Sequence, residues 1–175
     1  LITSTTVYVT VTVPAGTGGA IDTTTVTATS SSPLGGSVAT ATDTTAVPQV
    51  PGVNLSPGTA KYTYPGETVT FTHQVTNTGN GPDTINFAYA SVNGWAINGP
   101  ATVTLPAGGS RTINVSVAVP SGFYEGADVL YVQAASAANG AVTALAQNTT
   151  IVHRPDWLPL AGVMALFLVL VVVAS

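Results

Sequence analysis

The side chains that could do chemistry are few and scattered. The two histidines, His73 and His153, lie far apart in sequence, and neither has a second His or a Cys at a metal-ligand spacing. The chain has no Cys at all, which removes thiolate metal sites and disulfides together. Serine is abundant, yet the G-x-S-x-G turn that presents a nucleophile does not occur. Two acids that attack a glycosidic bond must flank a cleft, whereas Glu125 and Asp128 fall together in "FYEGAD", which reads as one short turn. A calcium site needs several converging oxygens, and the matching stretch "TGGAID" around Asp22 has no acid where Glu125 stands. Asp22 and Asp128 therefore read as turn-capping or strand-start residues. His73 falls on the inward side of an alternating stretch and reads as a core-edge histidine satisfied by a hydrogen bond. No catalytic, cofactor-binding or metal-ligating residue is expected.

What remains is surface chemistry. Asn54-Leu55-Ser56, Asn114-Val115-Ser116 and Asn148-Thr149-Thr150 are N-glycosylation triplets. Pro57 follows the first directly. Asn114 alternates outward from Ile113 and Val115, which makes it the candidate acceptor. Tyr62, Tyr64 and Tyr124 are candidate interface residues, because tyrosine is enriched where proteins meet. The three cations Lys61, Arg111 and Arg154 cannot neutralise a phosphate track, so nucleic acid is not expected as a partner.

These residues sit on elements that read as strands. "ETVTFTHQVTNTG" alternates, with Val69, Phe71, His73 and Val75 on one face. "DTINFAYAS" places Ile85, Phe87 and Tyr89 together, "RTINVSVAV" places Ile113, Val115, Val117 and Val119 inside, and "DVLYVQAAS" offers Leu130, Val132 and Ala134. "TYPGET" and "LPAGGS" are turns, since Pro presets φ and Gly accepts positive φ. No stretch before Trp157 carries a helical period. Short strands at close intervals, separated by turn residues, predict a β-sandwich of the immunoglobulin size over residues 53–152.

A repeat extends this reading. Val9 to Val47 parallels Val115 to Val152: an alternating strand ending in Val-Pro, a Gly-bearing turn, an Asp, a second strand, a Ser and Gly turn, and a third strand. Pro14 aligns with Pro120, Asp22 with Asp128 and Gly36 with Gly140. About 60 residues precede the motif in the second copy, but only Leu1 to Tyr8 in the first. Residues 1–47 are thus expected to be the C-terminal half of a preceding, truncated Ig-like domain in a tandem array; the alternative is that its strands complete a partner's sheet. Pro48 and Pro51 stiffen residues 48–52 into a short linker.

The stretch "VTNTGNGPDTINF…GWAI…VTLPAGGSRTINVSVAVPSG" resembles bacterial and archaeal Ig-like domains of the alpha-galactosidase-associated, or NEW-type, family. The shared marks are the Asn77-Thr78-Gly79-Asn80 turn, Asp83, Gly94-Trp95, the Leu105 to Gly109 turn and the Val119-Pro120 step. The resemblance covers residues 53–152, and its second half covers residues 9–47. It implies a spacer or binding module without a catalytic motif, of the kind found beside membrane anchors in surface proteins and secreted enzymes.

The last nineteen residues, Trp157 to Ser175, contain no ionisable side chain. As a helix they would rise about 28 Å, close to the thickness of a bilayer core. The run shows no polar stripe, so a transmembrane helix is expected over 157–175 rather than a core helix or strand, with residues 153–156 juxtamembrane. Trp157 would anchor at the interface, and His153 would lie at the membrane surface. Only 6% of residues are charged and the net charge is −4. A surface of Thr, Ser, Asn and Gly instead of Lys and Glu suits an extracytoplasmic protein. Arg154 before the run, with no cation after it, would by the positive-inside bias place the body inside. The run reaches the last residue, however, and a closing basic tail would lie beyond it. Residues 1–156 are accordingly expected on the extracytoplasmic side.

The expectation is an all-β, non-catalytic module of tandem Ig-like sandwiches with one transmembrane helix. Its partners would be the lipid bilayer and other proteins. The alternatives are an accessory subunit of a membrane complex and the C-terminal part of a secreted or surface hydrolase.

Overall fold

A computed structural model of the chain describes residues 4–31 and 35–154. The expected transmembrane run and its Trp157 lie outside the described residues. Among the described residues there are eleven strands, and no helix is long and apolar enough to cross a membrane. In chain order the strands are β1 (Ile21–Thr29), β2 (Val38–Ala46), β3 (Val53–Ser56), β4 (Ala60–Thr63), β5 (Thr68–Asn77) and β6 (Asp83–Ser91). They continue with β7 (Ala96–Asn98), β8 (Thr102–Leu105), β9 (Ser110–Ala118), β10 (Gly126–Ser136) and β11 (Thr143–Val152).

Residues 53–152 form two sheets, ordered β3-β5-β9-β7 and β4-β11-β10-β6-β8. Every pairing is antiparallel except β4 with β11. Taking the long strands β5, β6, β9, β10 and β11 as B, C, E, F and G, the sheets are laid out by position as A-B-E-D and C′-C-F-G of an Ig-like sandwich, with the short β7 and β8 reached in the order D then C′ and with β3 and β4 as a first strand that switches sheets. Period-two alternation builds the core. Along β5 the odd-numbered residues Val69, Phe71, His73, Val75 and Asn77 are buried and most of the even ones are exposed. β9 contributes Ile113, Val115 and Val117, and β10 contributes Leu130, Val132 and Ala134 from the opposite sheet. Phe71, Ile85, Val115, Leu130 and Val132 are wholly buried, each contributing roughly 1.5–3 kcal/mol of transfer free energy.

The sandwich has two distinct ends. The chain enters at the end formed by Asn77, Asp83, Leu105 and Ser136, where Val53 pairs with Asn77. It leaves at the other end, where Val152 pairs with Gly126 and Thr63.

β1 and β2 form a separate two-stranded sheet. Its register repeats that of the last hairpin: Asp22 stands opposite Thr45 as Asp128 stands opposite Thr150, and Val26 opposite Ala41 as Val132 opposite Ala146. The alternating stretch Val9–Val13, expected as a strand, joins no sheet. Its counterpart β9 lies between β5 and β7, and a ladder needs such neighbours to form.

Candidate interaction surfaces

Asn77 organises the end where the chain enters. It is wholly buried, and Nδ2 donates to the carbonyls of Gly81, Leu105 and Pro106 while Oδ1 accepts from Gly79 N–H. Nearby, the hydroxyl of Ser136 donates to Asp83 Oδ2, and Asp83 Oδ1 accepts from Ala138 N–H. One side chain thus shapes the 77–81 turn and another ties β6 to the β10–β11 turn.

Asn80 turns that end into a joint. Its Oδ1 accepts from Val50 N–H at 2.7 Å, and its Nδ2 donates to Pro48 O at 2.9 Å. Its own N–H donates to Val50 O at 3.0 Å, and its carbonyl accepts from Gly18 N–H at 2.9 Å. Gln49 Nε2 donates to Pro82 O, and Thr78 N–H to Gly52 O. The linker of residues 48–52 is therefore held along its length. The approach is close enough that a Cβ on Gly81 would overlap the Gly18 carbonyl.

His73 lies in the core, 1% exposed. Its Nδ1–H donates to Pro57 O at 2.8 Å, and Nε2 accepts from Asn148 Nδ2 at 3.2 Å. Asn148 Oδ1 in turn accepts from Thr59 N–H. This arrangement holds the neutral imidazole in one tautomer, and burial lowers its pKa against the opposing effect of the Pro57 carbonyl. The ring is a polar cross-link between the two sheets.

Asp128 and Glu125 do not share a turn. Asp128 is the third residue of β10 and is buried, whereas Glu125 precedes the strand and is exposed. Asp128 Oδ1 accepts from Ser91 Oγ at 2.9 Å and from Asn93 N–H at 2.8 Å, and Ser91 Oγ accepts from Trp95 N–H. The carboxylate fastens the turn after β6 to the start of β10. Its Oδ2 and the Oγ1 of Thr150, on facing residues, are buried without a partner among the described residues. Asp22, the repeat counterpart, is exposed and accepts from its neighbour Thr24 Oγ1. With Val11, Val13, Thr45 and Val47 it lines a cavity of about 380 Å³.

The glycosylation triplets separate by exposure. Asn148 is wholly buried and engaged with His73, so it is no acceptor in the folded state. Asn114 is exposed on β9, its Oδ1 accepting from Thr72 Oγ1 at 3.0 Å, and Asn54 is exposed on the edge strand β3. Tyr62, Tyr64 and Tyr124 are exposed, and Tyr62 stacks on His153 with ring centroids 5.1 Å apart. Tyr89 is half-buried, donates to Pro100 O at 2.6 Å, and has its pKa pushed up to about 12 by burial. The roles of Asn77, Asn80 and Asn148 were not predicted individually. For Asn148 a signal exists: it occupies an inward position of β11, between Ala146 and Thr150, where a polar residue must find a buried partner.

No group of three or more His, Cys, Asp or Glu side chains among the described residues could hold a metal ion. No protein-family profile and no curated relative matches the chain. Solved structures share the sandwich at low identity. The ASH/PapD-like domain 7 of human CEP192 is 14% identical, with a TM-score of 0.42, over 59% of this chain and 85% of that one. WR4, an MSP family member of C. elegans, is 15% identical, with a TM-score of 0.38, over 57% of this chain and 96% of that one. A family 123 glycoside hydrolase from Clostridium perfringens is 7% identical, with a TM-score of 0.48, over 61% of this chain and 28% of that one. The described residues are all-β, and residues 53–152 form an Ig-like β-sandwich.

Proposed function

We propose that the chain is a non-catalytic, membrane-anchored strut: Ig-like modules of the alpha-galactosidase-associated type in tandem, held on the extracytoplasmic side by the run 157–175. The observation that carries this reading is the placement of the two chain ends. The polypeptide enters the sandwich beside Asn77 and leaves at the opposite end beside Gly126, so the module spaces apart whatever precedes and follows it. Two further features support it. The linker is pinned by Asn80 and Gln49 instead of hanging free, which suits a stiff stalk. The β1–β2 hairpin keeps the register of β10–β11, as the second half of a like module would.

Extraction from native membranes in mild detergent, followed by native electrophoresis and mass spectrometry, tests the proposal. The expected result is migration without stoichiometric integral-membrane subunits, together with digestion of residues 1–156 by protease added to intact cells. Stoichiometric co-migration with such subunits would make the chain an accessory subunit instead. Peptides of a hydrolase upstream of Leu1 would make it that enzyme's anchor.

A further inference from the structure

We infer that the end of the sandwich from which the chain leaves is a lipid-docking surface that seats the module directly on the bilayer interface. The inference rests on the membrane-anchor reading and adds to it a contact that a bare tether would lack. Five large hydrophobic residues of the sandwich are exposed: Tyr62 (69%), Tyr64 (51%), Val92 (65%), Tyr124 (48%) and Leu145 (61%). All but Leu145 lie at the exit end. Tyr62 stands opposite Ile151, one residue before the last of β11. Tyr64 follows β4 into the turn that meets Ser121, and Tyr124 precedes Gly126, the partner of Val152. Val92 hydrogen-bonds to Val129 near the start of β10. His153, the first residue past β11, stacks on Tyr62 and donates its N–H to Thr63 O. The turns of the entry end, at 77–82, 106–109 and 137–140, expose no large hydrophobic side chain of their own, and the one such residue held against them is the linker's Val50 on Asn80.

Three tyrosines and a histidine ring around the exit point are the side chains that favour a headgroup region, apolar in body and polar at the tip. The next segment in sequence fixes the occupant. Arg154 is followed within three residues by the apolar run from Trp157 to Ser175, so an anchored chain holds this face within a few residues' reach of the membrane. A free-standing protein partner would have to compete with lipid for that space. The exposed Lys61, Glu67, Glu125 and Arg154 around the crown balance in formal charge, so the docking is driven by partition of the rings and should depend little on salt.

The chain lacks Cys, so single-cysteine variants can be labelled uniquely. A Cβ at Gly122, on the exit end, or at Gly140, on the entry end, meets nothing within 4 Å, and neither glycine needs a positive φ. Full chains carrying G122C or G140C, labelled with an environment-sensitive fluorophore, are incorporated into phosphatidylcholine vesicles whose headgroups carry a nitroxide quencher. Flotation with the vesicles tests the anchor. Loss of most fluorescence at 122 with none at 140 is the expected result, and the triple change Tyr62→Ser, Tyr64→Ser, Tyr124→Ser should restore emission at 122 while flotation persists. Flotation without quenching at 122, or quenching that survives the triple change, overturns the docking and leaves the anchor standing. A chain that does not float overturns the anchor and the docking with it.

Discussion

The buried His73 makes a pH dependence that can be worked out in advance. In the folded protein its Nδ1–H is committed to Pro57 O and its Nε2 accepts from Asn148 Nδ2. A second proton would go to Nε2, where it would face the Asn148 amide hydrogens instead of a lone pair. Turning the amide over would bring its N–H₂ against the N–H of Thr59. Burial without a compensating acceptor lowers the pKa. In the unfolded chain the same imidazole titrates near 6.5. Below that pH the unfolded state binds a proton that the folded state refuses, so stability is complete above about pH 6.5 and falls as the solution is acidified toward the folded-state pKa. The loss at pH 5.5 has an upper bound of about 1.4 kcal/mol, the value for a ring that takes up no proton at all in the folded state.

The assay is urea unfolding of the full chain in mild detergent, followed by the fluorescence of the buried Trp95, at a series of pH values from 8 to 5. His73→Gln is the reference. It lowers stability at every pH but removes the His73 contribution to the slope, and all other titrating groups are common to both proteins. The difference between the two curves should fall between pH 7.5 and 5.5, by at most about 1.4 kcal/mol. Asn148→Asp supplies the opposite sign: a carboxylate beside Nε2 favours the imidazolium, so stability attributable to the ring should grow on acidification from pH 7.5 to 5.5. Parallel curves for the parent protein and His73→Gln would refute the argument, because they would mean that the ring takes up its proton equally well folded and unfolded.

Asn77→Ala leaves one N–H and three carbonyls without their side-chain partner in the 77–81 turn and beside it, and should cost about 2–4 kcal/mol in a chemical-denaturation midpoint analysis. Thr150→Val removes a buried hydroxyl that has no partner and keeps the side-chain shape, so stability should be unchanged or rise by about 1 kcal/mol; a clear loss would show that the hydroxyl is bonded in solution. Asn80→Ala strips two side-chain bonds from the linker and should leave the sandwich melting near its original temperature. The same change should speed proteolysis between Val47 and Val53, and an unchanged cleavage rate would show that Asn80 does not stiffen the joint.

Much of the fold was legible because one physical rule writes it. A strand buried on one side alternates, and β5, β9 and β10 alternate through their middles, so inward residues such as Phe71, Val115 and Leu130 are legible in the sequence, whereas the inward Asn77, Asp128 and Ser136 near the strand ends are not. The short strands β3, β4, β7 and β8 span only three or four residues, too few for a period to show. They exist because longer neighbours offer them ladders. The polar cross-links were harder for another reason. Ser136 to Asp83, Asn148 to His73 and Asp128 to Ser91 each join residues distant in sequence. Nothing local distinguishes a serine that will meet a buried carboxylate from one that will meet water. The parity rule marks the inward position, and only the packing of the sheets supplies the partner.

The two hairpins make the same point within one chain. Asp22 and Asp128 occupy the same register position, each opposite a threonine. Local sequence has therefore built the same ladder twice, yet Asp128 is buried and fastens the Ser91–Trp95 turn, while Asp22 is exposed and bonds its own neighbour. The difference lies in what surrounds them. β10 has β6 along its free edge, and β9 lies in the sheet that faces it, whereas β1 has only β2 beside it and Val9–Val13, which joins no sheet, near it across an open cavity. A strand on the outer edge of β1, in the antiparallel sense that β6 takes on β10, would carry a turn past Asp22 as Ser91 to Trp95 passes Asp128. Asp22 is thus where a strand added along β1 would register. Protection of the amides on the outer edge of β1 against hydrogen exchange would show the sheet extended by a further strand, and fast exchange there would show the hairpin standing alone.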